Sequence, residues 1–298
     1  MSGRPSRGGL VPYLFVLPGL AVLGVWLVFP LVSALQMSLH DWDIVPGSKS
    51  PFVGLDHYAQ LVSDPLLLST LANTVAYVIV TVAGQLALGL AAALGLESVR
   101  RGRVVLRTLY FVPVVTSWVV AALMFRYLFN SSSAGMVNHL LVSVLGIVGR
   151  PVPWLNEAGT AFIAIFALGI WKGVGFAMVL FIAALQAIPE ELYDAAAIDG
   201  ASRRRAIRSV TLPLLAPTIV MTAVMLTIGA FQVFIPVALI TGGGPVHRTE
   251  VILTYLYDVA FRQLDFGYAG AISFALAGLV FAISQIQLRF MRQSALAG

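Results

Sequence analysis

Residues 188–213 read IPEELYDAAAIDGASRRRAIRSVTLP, and this stretch lies between two long apolar runs. Pro189 suits the first turn of a helix, because the N–H it lacks is one that a helix start leaves free. Glu190 and Glu191 then stand at the positive end of that helix's dipole. Ala195, Ala196 and Ala197 are strong helix formers without bulk. Gly200 suits a left-handed stop, since no Cβ opposes it. A second helix over 201–213 follows, so the pattern predicts helix, tight turn, helix. Four acids (Glu190, Glu191, Asp194, Asp199) balance four arginines (Arg203, Arg204, Arg205, Arg208), so the stretch is neither an acidic nor a basic tail. The residues leave two uses open. One is a flat alanine face that docks a rigid partner; the other is an amphipathic connection lying on lipid headgroups.

The flanking runs belong to a chain too apolar for water. Of its 298 residues 59% are hydrophobic and 10% charged, with a mean hydropathy of +0.93. Soluble domains hold roughly 45–50% and 25%. So few charges cannot cover a globular surface, which excludes a soluble enzyme, a disordered chain and a nucleic-acid binder. The net charge of +5 is spread over short loops. There is no cysteine, and hence no disulfide, thiolate metal site or cysteine nucleophile. His40, His57, His139 and His247 are far apart in sequence, so no local metal site is expected.

Uncharged runs locate the membrane spans. They cover 8–39, 65–96, 108–125, 209–247 and 266–288, while 158–189 carries Lys172 alone. A helix crosses the hydrocarbon in ~20 residues. An all-α membrane protein with six spans follows, at 10–37, 71–96, 106–129, 160–185, 214–240 and 268–290. The first span is too long for a signal-peptide core and reads as a retained helix. Arg4, Arg7, Arg100, Arg101, Arg103, Arg107, Arg203, Arg204, Arg205, Arg208, Arg289 and Arg292 fall on one side. Lys49, Arg126, Arg150, Arg248 and Arg262 fall on the other, and twelve against five puts both termini in the cytoplasm. The chain then divides into 1–40 (N-terminus and first span), an outward loop 41–70, and a core 71–290 that includes the loop 186–213. Met136–Val148 is apolar but too short to span, and reads as an interfacial helix. Pro12, Pro18, Pro30, Pro113, Pro217 and Pro236 lie in the apolar runs, where each removes a backbone donor and can kink its helix, as prolines do in any membrane bundle. Gly169 and Gly173, and Ala87, Ala91 and Gly95, repeat at the spacing of helix contacts.

Residues 188–213 resemble the EAA loop of the membrane subunits of binding-protein-dependent ABC importers. That pattern runs E-A-A, two residues, D-G-A, nine further residues after the glycine, then I-x-L-P. Asp194-Ala195-Ala196, Asp199-Gly200-Ala201 and Val210-Thr211-Leu212-Pro213 stand at those places. Asp194 replaces the glutamate and Val210 the isoleucine. Similar features extend over about 10–290: FVLPGL at 15–20, Asn73-Thr74, Trp171-Lys172-Gly173, the run 185–201 and GGGP at 242–245. Together they resemble the carbohydrate-uptake branch, maltose or glycerol-phosphate type, and the first of its two permease subunits.

The resemblance implies the type I ABC importer permease fold in a bacterial inner (plasma) membrane. It implies a heterodimer with a second permease, two copies of a cytoplasmic ABC ATPase, an extracytoplasmic solute-binding protein and surrounding lipid. Glu190, Glu191, Asp194, Ala195, Ala196, Asp199, Gly200 and Ala201 would couple to the ATPases. Gly242, Gly243, Gly244 and Pro245, in an outward turn, would meet the binding protein. No G-x-x-x-x-G-K-[ST] is present, so ATP and magnesium are expected on the partner. The chain itself is expected to hold no cofactor and no metal, and to be no enzyme.

Polar groups inside spans mark the solute path. At ~1.5 Å per residue, Lys172, Gln232, Arg126 and Ser273 stand ~26, ~28, ~28 and ~24 Å from the cytoplasmic ends of their spans. They predict one polar layer in the outer half, with Trp118, Phe231 and Phe234 offering apolar faces to a sugar ring. The plainer reading has Lys172 snorkelling, Arg126 ending its span and the aromatics packing. A polyol, glycerol phosphate or amino sugar is the alternative solute. An ion-coupled secondary transporter finds support only in Gln85, near the middle of the second span. A membrane-embedded enzyme would need acids in the middle of a span, and there are none.

Overall fold

The computed structural model describes residues 11–45, 47–99 and 101–296, among which every regular element is helical. Arg4, Arg7 and Arg100 lie outside the described residues, as does the Arg292 side chain. Among the described residues five helices are long and apolar enough to span a membrane, and the number is six where one bent pair is counted as a span. Contacts divide the chain into two units, Met1–Asp64 with Leu256–Leu276, and Pro65–Tyr255 with Ala277–Gly298.

The first unit holds α1 (11–38), α2 (Asp56–Leu61) and parts of the helices that end the chain. A wide turn at Gly24–Val28 precedes Pro30 in α1. A proline ring crowds the carbonyl one turn back, and a wider turn relieves it. None of the 18 most apolar consecutive residues of α1 is buried in this chain. Ser38 and Tyr58 hydroxyls are 2.9 Å apart, and Tyr268 donates to Asp64 at 2.8 Å.

The second unit is built on α3 (Pro65–Glu97) and α7 (Ala158–Gln186). Thr70, Thr74, Tyr77, Thr81, Gln85, Gly89 and Ala93 recur at three- and four-residue spacing and form the buried face of α3. Small residues bring the two backbones together, which is how helices gain contact where lipid gives no hydrophobic drive. A Cβ on Gly89 would lie 2.6 Å from the Ala177 Cβ, and one on Gly84 2.7 Å from Ile170. Gly169 lies under Tyr77 and Thr81, and Gly173 under the Gln85 amide. The Gly169–Gly173 pair is thus a helix contact. Ala87, Ala91 and Gly95 are exposed, so the packed small residues of α3 are Gly84 and Gly89 instead. Ala93, Leu96, Met178, Phe181, Ile182, Leu185 and Leu215 close the core at the arginine-rich end.

The third span departs from a single helix. α4 (Arg103–Val115) and α5 (Trp118–Leu128) meet at 97°. Thr116 and Ser117 between them are extended, with ψ of 139° and 135°. The ring of Pro113 acts on the turn before it, which stays helical, so it does not by itself place the break at Thr116–Ser117. Residues 136–144 then form α6, and the Asn138 side chain at its start holds the surrounding loop through Asn130, Ser132, Val152 and Trp154.

α8 (Glu190–Ile198) ends at Gly200, which has a φ of +73°. The expected separate second helix is instead the start of α9 (Arg203–Phe231), widened at Ile207–Thr211 just before Pro213. Wide turns before Pro30 and Pro213 have one cause. The fifth span stops at Phe231, short of the expected residue 240, because Gln232–Phe234 leave the helical region. α10 (Ile235–Ile240), α11 (Ile252–Phe261) and α12 (Phe266–Leu296) complete the chain.

Substituting alanine at Gly89 and at Gly95 separates packing from propensity. Gly89→Ala is expected to destabilise by about 1–3 kcal/mol through overpacking. Gly95 has no atom within 4 Å of its would-be Cβ, and Gly95→Ala is expected to stabilise by roughly 0.5–1 kcal/mol. Thermal unfolding in detergent reads both signs; a stabilising Gly89→Ala would contradict the packing.

Candidate functional site

Two helix breaks and the α3–α7 seam enclose a cleft of about 430 Å³ in the second unit. α5 supplies Trp118, α7 supplies Lys172 and Phe176, and the break after α9 supplies Gln232 and Phe234. Tyr77 and Gln85 reach it from α3.

Lys172 is buried, so it does not snorkel. Its ammonium donates to the Pro113 carbonyl at 2.9 Å and the Thr116 carbonyl at 2.5 Å. Both carbonyls lie where α4 ends, and the Pro113 carbonyl also accepts the Thr116 N–H at 3.3 Å. A cation there also meets the negative end of the helix dipole. The same ammonium stands 4.7 Å from the centre of the Trp118 ring, a cation–π contact strengthened by burial. Lys172 thus fixes both the break and the first aromatic after it. The Gln85 amide donates to the Gly169 carbonyl at 2.8 Å, so it too is positioned by α7.

Of the expected path residues, Trp118, Lys172, Gln232 and Phe234 line this cleft. Phe231 does not; its ring is buried in the core. Arg126 does not either: it is exposed and donates to the Leu239 carbonyl at 3.4 Å, at the end of α10. Ser273 belongs to the first unit, and its hydroxyl donates to the Ala269 carbonyl at 2.9 Å. The layer was gathered by depth, and depth says nothing of which face a residue takes. Tyr77, Gln85 and Phe176 were not assigned to the path from sequence. The Thr74, Tyr77, Thr81, Gln85 spacing on α3 was the signal for two of them.

The turn at Gly242–Gly244 is tightly held. Gly242 and Gly243 have φ of +61° and +82°. The Thr249 hydroxyl donates to the Gly244 carbonyl at 2.6 Å, and the Thr249 amide to the Gly243 carbonyl at 3.1 Å. Asn73 of α3 donates to the Arg248 and Glu250 carbonyls at 3.0 and 2.8 Å. The Ile252 amide donates to the Thr74 hydroxyl at 2.9 Å. Asn73-Thr74 thus staples the segment after the turn onto α3. Val246, at a φ of +49°, stands 86% exposed beyond Pro245.

At the other end, α8 closes with a Schellman arrangement. Ala201 N–H donates to the Ala196 carbonyl at 2.9 Å, and Gly200 N–H to the Ala197 carbonyl at 3.0 Å. The Tyr193 and Thr211 hydroxyls, 3.0 Å apart, join α8 to the first turns of α9. Glu190, Glu191, Asp194 and Ala195 lie on α8, Ala196 in its last turn, and Asp199, Gly200 and Ala201 in the turn that follows.

Residues 85–292 match the model of the family described as binding-protein-dependent transport system inner membrane component. The chain belongs to that family. It is 34% identical over 289 residues to the probable ABC transporter permease protein YurN of Bacillus subtilis, covering 96% of this chain and 98% of that one. It is 36% identical over 287 residues to the trehalose/maltose transport system permease protein MalF of Thermococcus litoralis, covering 96% and 95%. Its structure matches a chain of a bacterial ABC transporter involved in the import of the acidic polysaccharide alginate, with a TM-score of 0.83, 25% identity and 95% of each chain covered. The permease is therefore a multi-pass inner-membrane transport component without an ATPase site of its own, as the loop 188–213 led one to expect.

The staple yields a prediction. Asn73→Ala releases two carbonyls, at roughly 1 kcal/mol for each bond lost. Trypsin should then cut after Arg248 several-fold faster in the detergent-solubilised chain. An unchanged rate would show that Asn73 does not hold the loop.

Proposed function

We propose that the permease translocates a neutral sugar by alternating access, and that the cleft at the two breaks is its part of the solute path. The observation that carries this reading is the lining of the cleft. Tyr77, Trp118, Phe176 and Phe234 offer rings, and Gln85 and Gln232 offer amides. The lining residues include no carboxylate, and their one cation, Lys172, is engaged by two carbonyls and a ring. Rings suit the apolar faces of a pyranose, and amides its hydroxyls. An anionic glycerol phosphate would want a free cation, and an amino sugar an acid. The trehalose/maltose relative agrees with a neutral solute.

On this reading the arginine-rich end faces the cytoplasm, and both termini with it. The chain pairs with a second permease, and two ATPases bind the α8 loops, one from each permease. ATP and magnesium stay on those partners, and this chain holds neither cofactor nor metal. Closure of the ATPases pulls α8, and the Gly200 turn with the Tyr193–Thr211 contact passes the pull to α9. The Gly242–Pro245 turn faces the extracytoplasmic binding protein, which delivers the solute.

Two measurements test this. The tagged chain, purified from its host in mild detergent, should bring a second permease and an ATPase; repeated recovery of the folded chain alone would contradict the assembly. In the assembled importer Gly200→Pro should keep the subunits together and abolish solute-stimulated ATP hydrolysis. Normal stimulation in that variant would remove the lever.

A further inference from the structure

Arg204, Arg205 and Arg208 line a groove of about 700 Å³ at the start of α9, beside Ser202, Ile207 and Leu212. All three arginines are exposed. The loop's four acids match its four arginines in number, and charge alone would favour ion pairs between them. None forms: among the described residues no carboxylate is in ion-pair contact with these guanidiniums. The acids stand on α8 and its closing turn, and the arginines on α9 beyond the turn. The left-handed stop at Gly200 separates the two sets.

The level of the groove follows from length. α9 has 29 residues, which is ~43 Å of helix. The hydrocarbon core takes ~30 Å of that. The surplus of ~13 Å, about nine residues, corresponds to the stretch Arg203–Thr211. These turns carry the arginines, the last of them Arg208, and the uncharged run begins at Ser209. The guanidiniums therefore stand where phospholipid phosphates lie, with Ile207 at their own level and Leu212 one turn deeper than Arg208 to meet the first acyl carbons.

We propose that this groove binds the phosphate of an anionic phospholipid headgroup. Guanidinium forks match phosphate oxygens two at a time, and three of them line this groove with no carboxylate among the described residues in ion-pair contact with them. The Ser202 hydroxyl adds a donor, whereas Ser209 spends its own on the Arg205 carbonyl at 2.8 Å. The loop then divides its work: the acidic, alanine-faced α8 is left for the ATPase, and the arginine groove anchors the start of α9 to the membrane.

Native mass spectrometry of the full-length chain in mild detergent tests this, with phosphatidylglycerol and phosphatidylcholine as the probes. The parent should retain phosphatidylglycerol in preference to phosphatidylcholine. The Arg204→Gln, Arg205→Gln, Arg208→Gln variant should lose that retention by about fivefold per arginine, while Arg101→Gln keeps it. If the glutamine variant does not fold, the corresponding triple lysine variant carries the test, because it keeps the charge and loses the forks. Weaker retention by the lysine variant supports the site, and retention equal to the parent overturns it. Equal retention by the parent and the glutamine variant, or an equal loss in Arg101→Gln, also overturns it. So does displacement of the lipid by millimolar inorganic phosphate, which would make this a free-phosphate site. Loss of the co-purifying ATPase with lipid retention unchanged would assign the groove to the ATPase.

Discussion

A helix that stops inside a membrane leaves carbonyl oxygens that lipid cannot satisfy. Here α4 stops at Val115, and the Lys172 ammonium takes the Pro113 and Thr116 carbonyls. A buried ammonium without partners would be equally costly. The ammonium gains two acceptors and the end of α4 gains a donor, in addition to the Thr116 N–H that the Pro113 carbonyl already accepts. The 97° turn, the place of Trp118 and the opening of the cleft all follow from this one contact. The close packing around it depends on glycines. A side chain at Gly175 would collide with the Tyr110 carbonyl, and one at Gly173 with the Gln85 amide. Lys172 meets α4 because the residues around it on α7 let α4 and α3 approach.

The second break completes the cleft and ties it to the far end of the unit. α9 begins beside α8 and stops at Phe231, next to Gln232. One helix of ~43 Å thus runs from the turn after α8 to the cleft wall. A shift at Gly200 reaches Gln232 along a rod rather than through a series of loops. The same helix carries the arginine groove at its foot.

Much of this was legible from residue types. Pro189, the alanine run and Gly200 specify α8 and its stop through local chemistry, and local chemistry is what a sequence states openly. Uncharged runs found the spans for the same reason. The breaks were not legible in full. Pro113, Pro217 and Pro236 look alike in sequence, yet α4 breaks just after Pro113, α9 continues through Pro217, and Pro236 opens α10. What distinguishes Pro113 is a lysine 59 positions away that takes its carbonyl. The lining of the cleft was hard to read for a related cause. Arg126 and Ser273 have the right depth, but their partners, Leu239 and Ala269, are backbone carbonyls of nearby helix turns. Tyr77 and Gln85 were readable as a stripe on α3; their role needed the glycines of α7 opposite them.

The most direct test measures the bend of the third span. The chain has no cysteine, so cysteines placed at exposed Val104 and Tyr127 carry the only two spin labels. A straight helix would separate those backbones by about 35 Å, whereas the 97° break brings them to about 20 Å. Pulsed electron spin distance measurement on the parent chain should give the shorter distance in a narrow distribution. Adding Lys172→Met should broaden it towards the longer one. A narrow peak near the straight-helix distance in the parent, or a distribution indifferent to Lys172→Met, would contradict the account.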